Sequence, residues 1–178
     1  GPPTSLGFVP AQELAAQVCG GLHWLYENLR ERRVEVVTGG TSIPLERRAL
    51  SRGPAIVVGT PGRLLDHLRN NAIKCDRIEH VVLDEADQML DMGFREELEA
   101  IVENLPAERR SHLVSATFPA PLKRLADRFQ RDAVHVEGTR LGAANQDIEH
   151  VAHQVNPRER YAALVTLLLI AEGERCRV

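Results

Sequence analysis

Three acidic side chains follow a short apolar run and are the residues of this sequence best suited to chemistry. Asp84 and Glu85 come directly after Val81-Val82-Leu83, and Asp87 comes two residues later. An unbroken apolar run predicts a strand buried on both faces of a parallel sheet, and such sheets bind ligands at the carboxyl ends of their strands. Asp84 at that end could hold a magnesium ion while Glu85 orients an attacking water. The acids also fit the first turn of a helix, which the helix dipole favours.

Four other segments follow predicted strands and would lie at the same edge of the sheet. These segments are Pro10-Ala11-Gln12-Glu13, Thr38-Gly39-Gly40-Thr41, Thr60-Pro61-Gly62-Arg63 and Ser115-Ala116-Thr117. Helices after them would present N-terminal N–H groups to phosphate oxygens, and glycine allows a polyanion to approach the backbone closely. Each segment alone is more simply a turn rich in glycine or proline. Together with the acids, the four predict a phosphate-binding rim.

Strand-like and helical patterns alternate along the chain and would position these segments. Runs of apolar or β-branched residues predict strands at 5–9, 33–37, 55–58, 78–83, 112–115 and 133–136. Helical spacing predicts helices at 11–29, 44–51, 63–70, 86–92, 94–105 and 120–129. This alternation indicates an α/β fold in which helices cover both faces of a parallel sheet.

A stretch of small and polar residues at 138–152 breaks the alternation and indicates a linker. Asn156 then predicts a helix N-cap, with Pro157 at the first position of a helix that ends near Ala171. We interpret residues 1–137 as one domain, 138–152 as a linker and 153–178 as the start of a second domain. The sequence therefore resembles a segment cut from a longer protein.

The composition is that of an ordinary soluble globular domain, with 178 residues, 43% hydrophobic and 26% charged. A net charge of -3 gives no global attraction to nucleic acid or to anionic membranes. We expect no membrane attachment, because no apolar run approaches the ~20 residues of a membrane-spanning helix. Cys19, Cys75 and Cys176 are widely spaced, which favours free thiols in a reducing cytoplasm.

Two smaller features have simple structural interpretations. Trp24 and Tyr26 lie on the first predicted helix, and we expect them to pack rather than to stack on bases, since only 4% of the chain is aromatic. His150 and His153 have the spacing of two metal ligands, but no further ligand lies nearby. We therefore expect solvated histidines rather than a zinc site.

Five short motifs agree in order, spacing and identity with a known family across residues 5–137. They are Pro10-Ala11-Gln12-Glu13-Leu14-Ala15, Gly39-Gly40, Thr60-Pro61-Gly62-Arg63, Asp84-Glu85-Ala86-Asp87 and Ser115-Ala116-Thr117. This set resembles the first RecA-like domain of a DEAD-box RNA helicase, and the tail from His153 is similar to the beginning of the second such domain. The resemblance implies a RecA-like fold, ATP and Mg²⁺ as cofactors, and ATP hydrolysis coupled to the separation of short RNA duplexes.

The resemblance also implies a role for each motif. Asp84 would bind the magnesium of ATP, and Glu85 would help to activate the hydrolytic water. Asp87 would pair with Ser115 and Thr117 and link the nucleotide state to RNA binding. The remaining motifs would hold the backbone of one RNA strand, largely through main-chain groups and without sequence preference. The residues implied in RNA binding are Pro10, Gln12, Gly39, Gly40, Thr60, Pro61, Gly62 and Arg63, of which Arg63 is the one charged side chain.

Two departures from the family pattern affect the expected activity. Ala11 and Gln12 stand where the family usually has threonine and arginine, which predicts weaker RNA binding. The phosphate-binding loop Gly-x-x-x-x-Gly-Lys-Ser/Thr is absent, since neither Lys74 nor Lys123 follows a glycine. Without that loop Asp84 would bind magnesium weakly, so we expect the 178-residue chain neither to bind ATP tightly nor to hydrolyse it.

The strand that precedes this loop in the family is central in the sheet, so its absence predicts unpaired strand edges. Such edges invite a homodimer, strand exchange or a rearranged fold. A second hypothesis is a non-catalytic RNA-binding or interaction module that has lost the nucleotide loop. A third is a metal-dependent phosphodiesterase built on Asp84, Glu85 and Asp87, although sequential acids at one strand end rarely converge on two metals.

Overall fold

The computed structural model describes residues 1–27, 33–138, 151 and 153–170. The chain forms two compact units, Gly1–Glu137 and Gly138–Val178. Several predicted features lie outside the described residues: the end of the first helix at 28–29, nearly all of the predicted linker, His150, Cys176 and the end of the chain from residue 171.

The first unit is a parallel five-stranded sheet, which confirms the predicted α/β fold. Its strands are β1 (Ser5–Phe8), β2 (Val34–Val37), β3 (Ile56–Gly59), β4 (His80–Leu83) and β5 (Arg110–Leu113). Its helices are α1 (Gln12–Leu25), α2 (Ile43–Leu50), α3 (Pro61–Arg69), α4 (Ala86–Asp91), α5 (Arg95–Glu103) and α6 (Ala120–Phe129). The strands pair in the order β2-β3-β1-β4-β5, each parallel to its neighbour. A rearrangement of this sheet stays a prediction. Strand exchange with a second copy stays a prediction.

Helices cover the two faces of this sheet unequally. On one face a large core buries Leu6, Val57, Val81 and Leu83 together with residues of α2 to α6. On the other face α1 packs on β2 and β3. There Val82 of β4 is 38% exposed, whereas Val81 and Leu83 are fully buried. The expectation that this apolar run is buried on both faces is therefore wrong for Val82, because α1 lies over β2 and β3 instead.

Residues 133–136 do not form the predicted strand. Val134 is 85% exposed and Val136 is 82% exposed, so the apolar pattern there does not reflect burial in this chain. A strand forms only where a neighbouring strand satisfies its backbone N–H and C=O groups. The segment has no such neighbour in the described sheet, whose edge on the α6 side is β5.

The prediction that Trp24 packs is also wrong, since Trp24 is 77% exposed. The stripe of α1 that faces the sheet contains Ala15, Cys19 and Leu22, with Tyr26 just beyond the helix also packed against this cluster. Trp24 lies five residues after Cys19, which at 3.6 residues per turn places it on the opposite side of the helix.

In the second unit a short 3₁₀ turn, Pro157–Glu159, leads into α7 (Arg160–Ile170). The side-chain oxygen of Asn156 accepts a hydrogen bond from the Arg158 N–H at 3.1 Å, which confirms the predicted N-cap. Among the described residues, no helix combines the length and the apolar character needed to cross a lipid bilayer.

Candidate functional site

The register of the sheet aligns the ends of all five strands. Phe8 lies opposite both Gly59 and Leu83, Gly59 lies opposite Val37, and Leu83 lies opposite Leu113. The residues that follow these five leave the sheet along the edge formed by the carboxyl ends of the strands. Open α/β sheets bind ligands at this carboxyl-terminal edge. All the motifs predicted to bind RNA, magnesium or one another therefore begin at this edge, as the sequence analysis expected.

The turn after β4 places two acids at this edge. The Asp84 N–H donates to the Phe8 carbonyl oxygen at 3.0 Å, and the Glu85 N–H donates to Asp84 Oδ1 at 3.0 Å. Glu85 has φ 52° and ψ 50°, the left-handed conformation that is rare outside glycine. It precedes α4, so Asp84 and Glu85 lie in a strand-to-helix turn, with Asp84 half-buried and Glu85 exposed. Asp87 alone occupies the first turn of the helix.

Asp87 joins α4 to the segment after β5. Its Oδ2 accepts hydrogen bonds from the Thr117 N–H at 3.0 Å and from Thr117 Oγ1 at 2.7 Å. The Asp87 N–H donates to Ser115 Oγ at 3.2 Å, and Oδ1 accepts from the Gln88 N–H at 3.1 Å. Burial raises the pKa of Asp87, but the hydrogen bonds from Thr117, Ser115 and Gln88 outweigh burial and leave the pKa lowered. The structure thus brings together the three residues that the resemblance pairs.

A single carboxylate lies between two of the predicted RNA-binding motifs and belongs to none of the sequence motifs. Glu46 of α2 is 6% exposed, and its Oε1 accepts from the Thr38 N–H at 3.0 Å and from Thr41 Oγ1. Its Oε2 accepts from Arg63 Nη1 at 2.8 Å and lies 2.6 Å from His67 Nε2. Arg63 Nη1 also donates to the Thr41 carbonyl oxygen at 3.2 Å. An acid in the first turn of a helix is common for its dipole alone, so the sequence offered no sign of this network.

The other predicted RNA-binding residues differ in exposure. Gly39, Gly40 and Gln12 are exposed, whereas Pro10 and Pro61 are buried and shape the backbone. Gly40 has φ 83°, and a Cβ built there would lie 3.7 Å from Gln12 Oε1, so this loop borders the start of α1. Ala11 is the N-cap of α1 and has no side chain that could cap the helix.

The segment after β3 is not the free turn that the sequence predicted. Thr60 is the N-cap of α3, and Pro61 and Gly62 form its first turn, since the fixed φ of proline suits a first helical position. Gly59 has no room for a side chain, because a Cβ there would lie 2.3 Å from the Val37 carbonyl oxygen.

The carboxylates at this edge fit Mg²⁺ only in a site whose coordination is completed by waters and substrate phosphates. In the part of the chain that the structure describes, no three His, Cys, Asp or Glu residues cluster as a metal site. Mg²⁺ often uses one or two carboxylates, with waters and substrate phosphates completing its coordination. Asp84, half-buried beside the exposed Glu85, suits that kind of site.

Comparison with known proteins decides the family. The protein-family model described as DEAD/DEAH box helicase matches residues 1–125 of this chain. The chain belongs to the DEAD/DEAH box helicases. It is 42% identical over 165 residues to the DEAD-box ATP-dependent RNA helicase CshA of Bacillus licheniformis, covering 93% of this chain and 34% of that protein. It is 34% identical over 174 residues to the ATP-dependent RNA helicase DbpA of Bacillus subtilis, covering 98% of this chain and 36% of that protein.

Solved structures of the family support the fold of this helicase chain. The yeast DEAD-box splicing factor Prp28 matches with a TM-score of 0.69 and 28% identity, over 72% of this chain and 31% of that one. A hypothetical ATP-dependent RNA helicase from Sulfolobus tokodaii matches with a TM-score of 0.67 and 31% identity, over 73% of this chain and 39% of that one. The predicted resemblance is confirmed. The helicase chain spans about a third of the length of the curated relatives it matches.

Proposed function

We propose that this helicase chain is part of an ATP-dependent RNA helicase, which couples ATP hydrolysis to local separation or remodelling of RNA duplexes. The supporting observation is the Asp87–Thr117 contact, which links the segment after β5 to the helix that follows the acidic turn. In this proposal residues 1–137 are most of the first RecA-like domain, 138–152 are the linker and 153–178 begin the second RecA-like domain.

The acidic turn serves ATP. Asp84 would hold Mg²⁺ together with the nucleotide phosphates and water, and a bound ion would supply charge neutralisation at the phosphates. Glu85, exposed on its left-handed turn, orients the attacking water. Asp87 holds the acidic turn to Ser115 and Thr117 through hydrogen bonds, so that a conformational change at the nucleotide is transmitted to the segment after β5.

RNA binds along the neighbouring part of the same edge. The exposed loop at Gly39 and Gly40, the start of α1 at Pro10 to Gln12 and the first turn of α3 at Thr60 to Arg63 supply mainly backbone groups. Backbone contacts to phosphate and sugar position a strand without reading its sequence. Arg63 belongs to the last of these segments, and we expect no sequence preference.

Two further parts of the proposal concern the chain's surroundings. Within the described part of the chain Cys19 and Cys75 form no disulfide, and we place the protein in the reducing cytoplasm. The open edge of β5 favours a homodimer of the 178-residue chain when it is studied by itself.

ATP turnover tests the proposal. We expect the product of the complete coding sequence to hydrolyse magnesium-ATP in the presence of RNA, and Glu85→Gln to lower kcat by about 100-fold or more, as loss of a catalytic base does. We expect the 178-residue chain to show no turnover above its Asp84→Ala control, because it has no phosphate-binding loop. An active complete protein that tolerates Glu85→Gln would contradict the assigned roles. Turnover by the short chain would contradict its predicted inactivity.

A non-catalytic RNA-binding or interaction module remains the second candidate, favoured by the lack of a Gly-Lys-Ser/Thr motif within these 178 residues. The coding sequence upstream of Ser5 discriminates between the two. A Gly-x-x-x-x-Gly-Lys-Ser/Thr loop there supports the helicase, and its absence supports the module. The absence of a three-residue metal cluster among the described residues counts against the phosphodiesterase hypothesis.

A further inference from the structure

We propose that Glu46 is a positioning residue for RNA binding: with Arg63 and His67 it forms a buried bracket that fixes the Thr38–Thr41 loop against α3. This inference rests on the proposed RNA-binding function of these two elements. Neither the family motifs nor the sequence pattern assigns a role to Glu46 or His67.

The two oxygens of Glu46 are divided between the two elements that it joins. Among the described residues, Oε1 accepts from the loop, through the Thr38 N–H and Thr41 Oγ1. Oε2 meets α3, through Arg63 Nη1 at 2.8 Å and His67 Nε2 at 2.6 Å. One carboxylate on α2 therefore ties the loop after β2 to the helix after β3.

The centre of the network is buried, which suits a fixed bracket. The side chains of Glu46, Arg63 and His67 are 6%, 11% and 2% exposed. Burial raises the pKa of Glu46, but hydrogen bonds from Thr41, His67, Arg63 and Thr38 outweigh it and leave the pKa lowered. The carboxylate is therefore charged at neutral pH, and removing one member would leave its partners buried without their counterpart.

The bracket holds both ends of the exposed glycine pair. Thr38 and Thr41 flank Gly39 and Gly40, and each threonine bonds to Glu46. A strand of RNA presents phosphates at regular spacing, so two backbone segments bind it best when their separation is set beforehand, which lowers the ordering cost of binding. Arg63 also donates to the Thr41 carbonyl oxygen, so it acts on RNA chiefly by holding the loop.

The direction in which Glu46→Gln changes the affinity for RNA distinguishes this positioning role from a purely electrostatic effect. Glu46→Gln removes a negative charge near a phosphate-binding edge, which by Coulomb attraction alone would strengthen RNA binding. The bracket predicts the opposite, because the amide cannot satisfy Arg63 and His67 as the carboxylate does. We expect the Kd for a labelled single-stranded oligouridine to rise about tenfold. Glu96→Gln, an exposed acid in the first turn of α5, removes the same charge as a matched control.

The salt dependence of binding tests Arg63. For single strands each phosphate contact contributes about 0.7 to the slope of log K against log salt. We expect Arg63→Gln to weaken binding with the slope unchanged, and Arg63→Lys to recover part of the affinity. A slope reduced by about 0.7 would mean that Arg63 contacts a phosphate directly and would overturn its positioning role.

The measurements use the complete protein, with circular dichroism confirming that each variant is folded at the assay temperature. If the wild type binds RNA while Glu46→Gln matches Glu96→Gln or binds more tightly, the bracket is wrong and the RNA-binding function stands. If the wild type does not bind RNA at all, both the proposed function and this inference are wrong.

Discussion

At the scale of single residues, Ala11 lacks an interaction that its place in the fold could make. It is the N-cap of α1 with φ -136° and ψ 156°, the extended conformation of a capping residue, but its methyl group cannot accept a hydrogen bond. The first N–H groups of α1 therefore have no side-chain cap. The family's usual threonine at this position would provide one.

We predict that Ala11→Thr stabilises the chain by about 1 kcal/mol, the typical effect of an N-cap hydroxyl. Urea unfolding followed by circular dichroism measures the change. Ala11→Val is the matched control, because the valine side chain has nearly the same shape as threonine but carries no hydroxyl. Equal stability of the two variants would show that the hydroxyl does not cap α1.

At the scale of secondary structure elements, the bond between α4 and the segment after β5 makes stability depend on pH. The pKa of Asp87 is lower in the folded chain than in the unfolded one. Its contribution to stability is therefore fully present above the unfolded pKa of about 3.9, and is lost as the pH falls through the folded pKa.

We predict that Asp87→Asn lowers the free energy of unfolding at pH 7 by about 1–3 kcal/mol, since the N–H and Oγ1 of Thr117 lose their charged acceptor. The difference between wild type and variant should shrink below about pH 4, where the wild-type carboxylate also becomes protonated. Urea unfolding between pH 7 and pH 3 measures it. A difference that stays constant over this range would mean that the charge of Asp87 is unimportant.

The positions of helices and strands were predictable from sequence, because the local pattern determines them. Burial and strand pairing were less predictable, because they depend on neighbouring elements. Apolar runs located all five strands of the sheet to within a few residues, and their alternation with helices predicted that the strands are parallel. The exposure of Val82 depends on where α1 lies, and the unpaired state of residues 133–136 depends on which strand adjoins them. Neither can be read from the run itself.

The same limit applies to the site. The acids and loops were recognisable because each follows a strand within a few residues, and a parallel sheet gathers such segments at one edge. The contact of Asp87 with Thr117 followed from the resemblance, since 30 residues separate the two. Glu46 and His67 lie 21 residues apart on different helices, and no local pattern joins them.

At the scale of the whole molecule, β5 is an edge strand of the described sheet, and on its outer side the Ser111 carbonyl oxygen accepts from Gln130 Nε2 at 3.1 Å but no further strand pairs. The Arg110 and Val114 N–H groups donate to the Glu79 and Leu83 carbonyls beside β4. Backbone groups alternate sides along a strand, so the N–H groups of Ser111 and Leu113 lie on the outer side. An edge of this kind can pair with another chain.

We predict that the 178-residue chain forms a concentration-dependent dimer through this edge. Ser111→Pro should shift it toward monomer, because it removes an outward N–H without removing a bond to β4. Sedimentation velocity at several concentrations measures the change, and circular dichroism checks that the variant is folded. A wild-type chain that remains monomeric throughout would contradict the prediction.

The left-handed turn at Glu85 has a consequence for how this helicase chain would respond to selection. A non-glycine residue in that conformation raises the free energy of the fold by about 1–3 kcal/mol, and glycine would relieve this strain. A library sorted only for thermostability or expression would therefore favour replacing Glu85 by glycine, and would enrich chains without the proposed hydrolytic carboxylate. A stabilisation campaign therefore needs a counter-screen for ATP turnover by the complete protein that detects loss of Glu85.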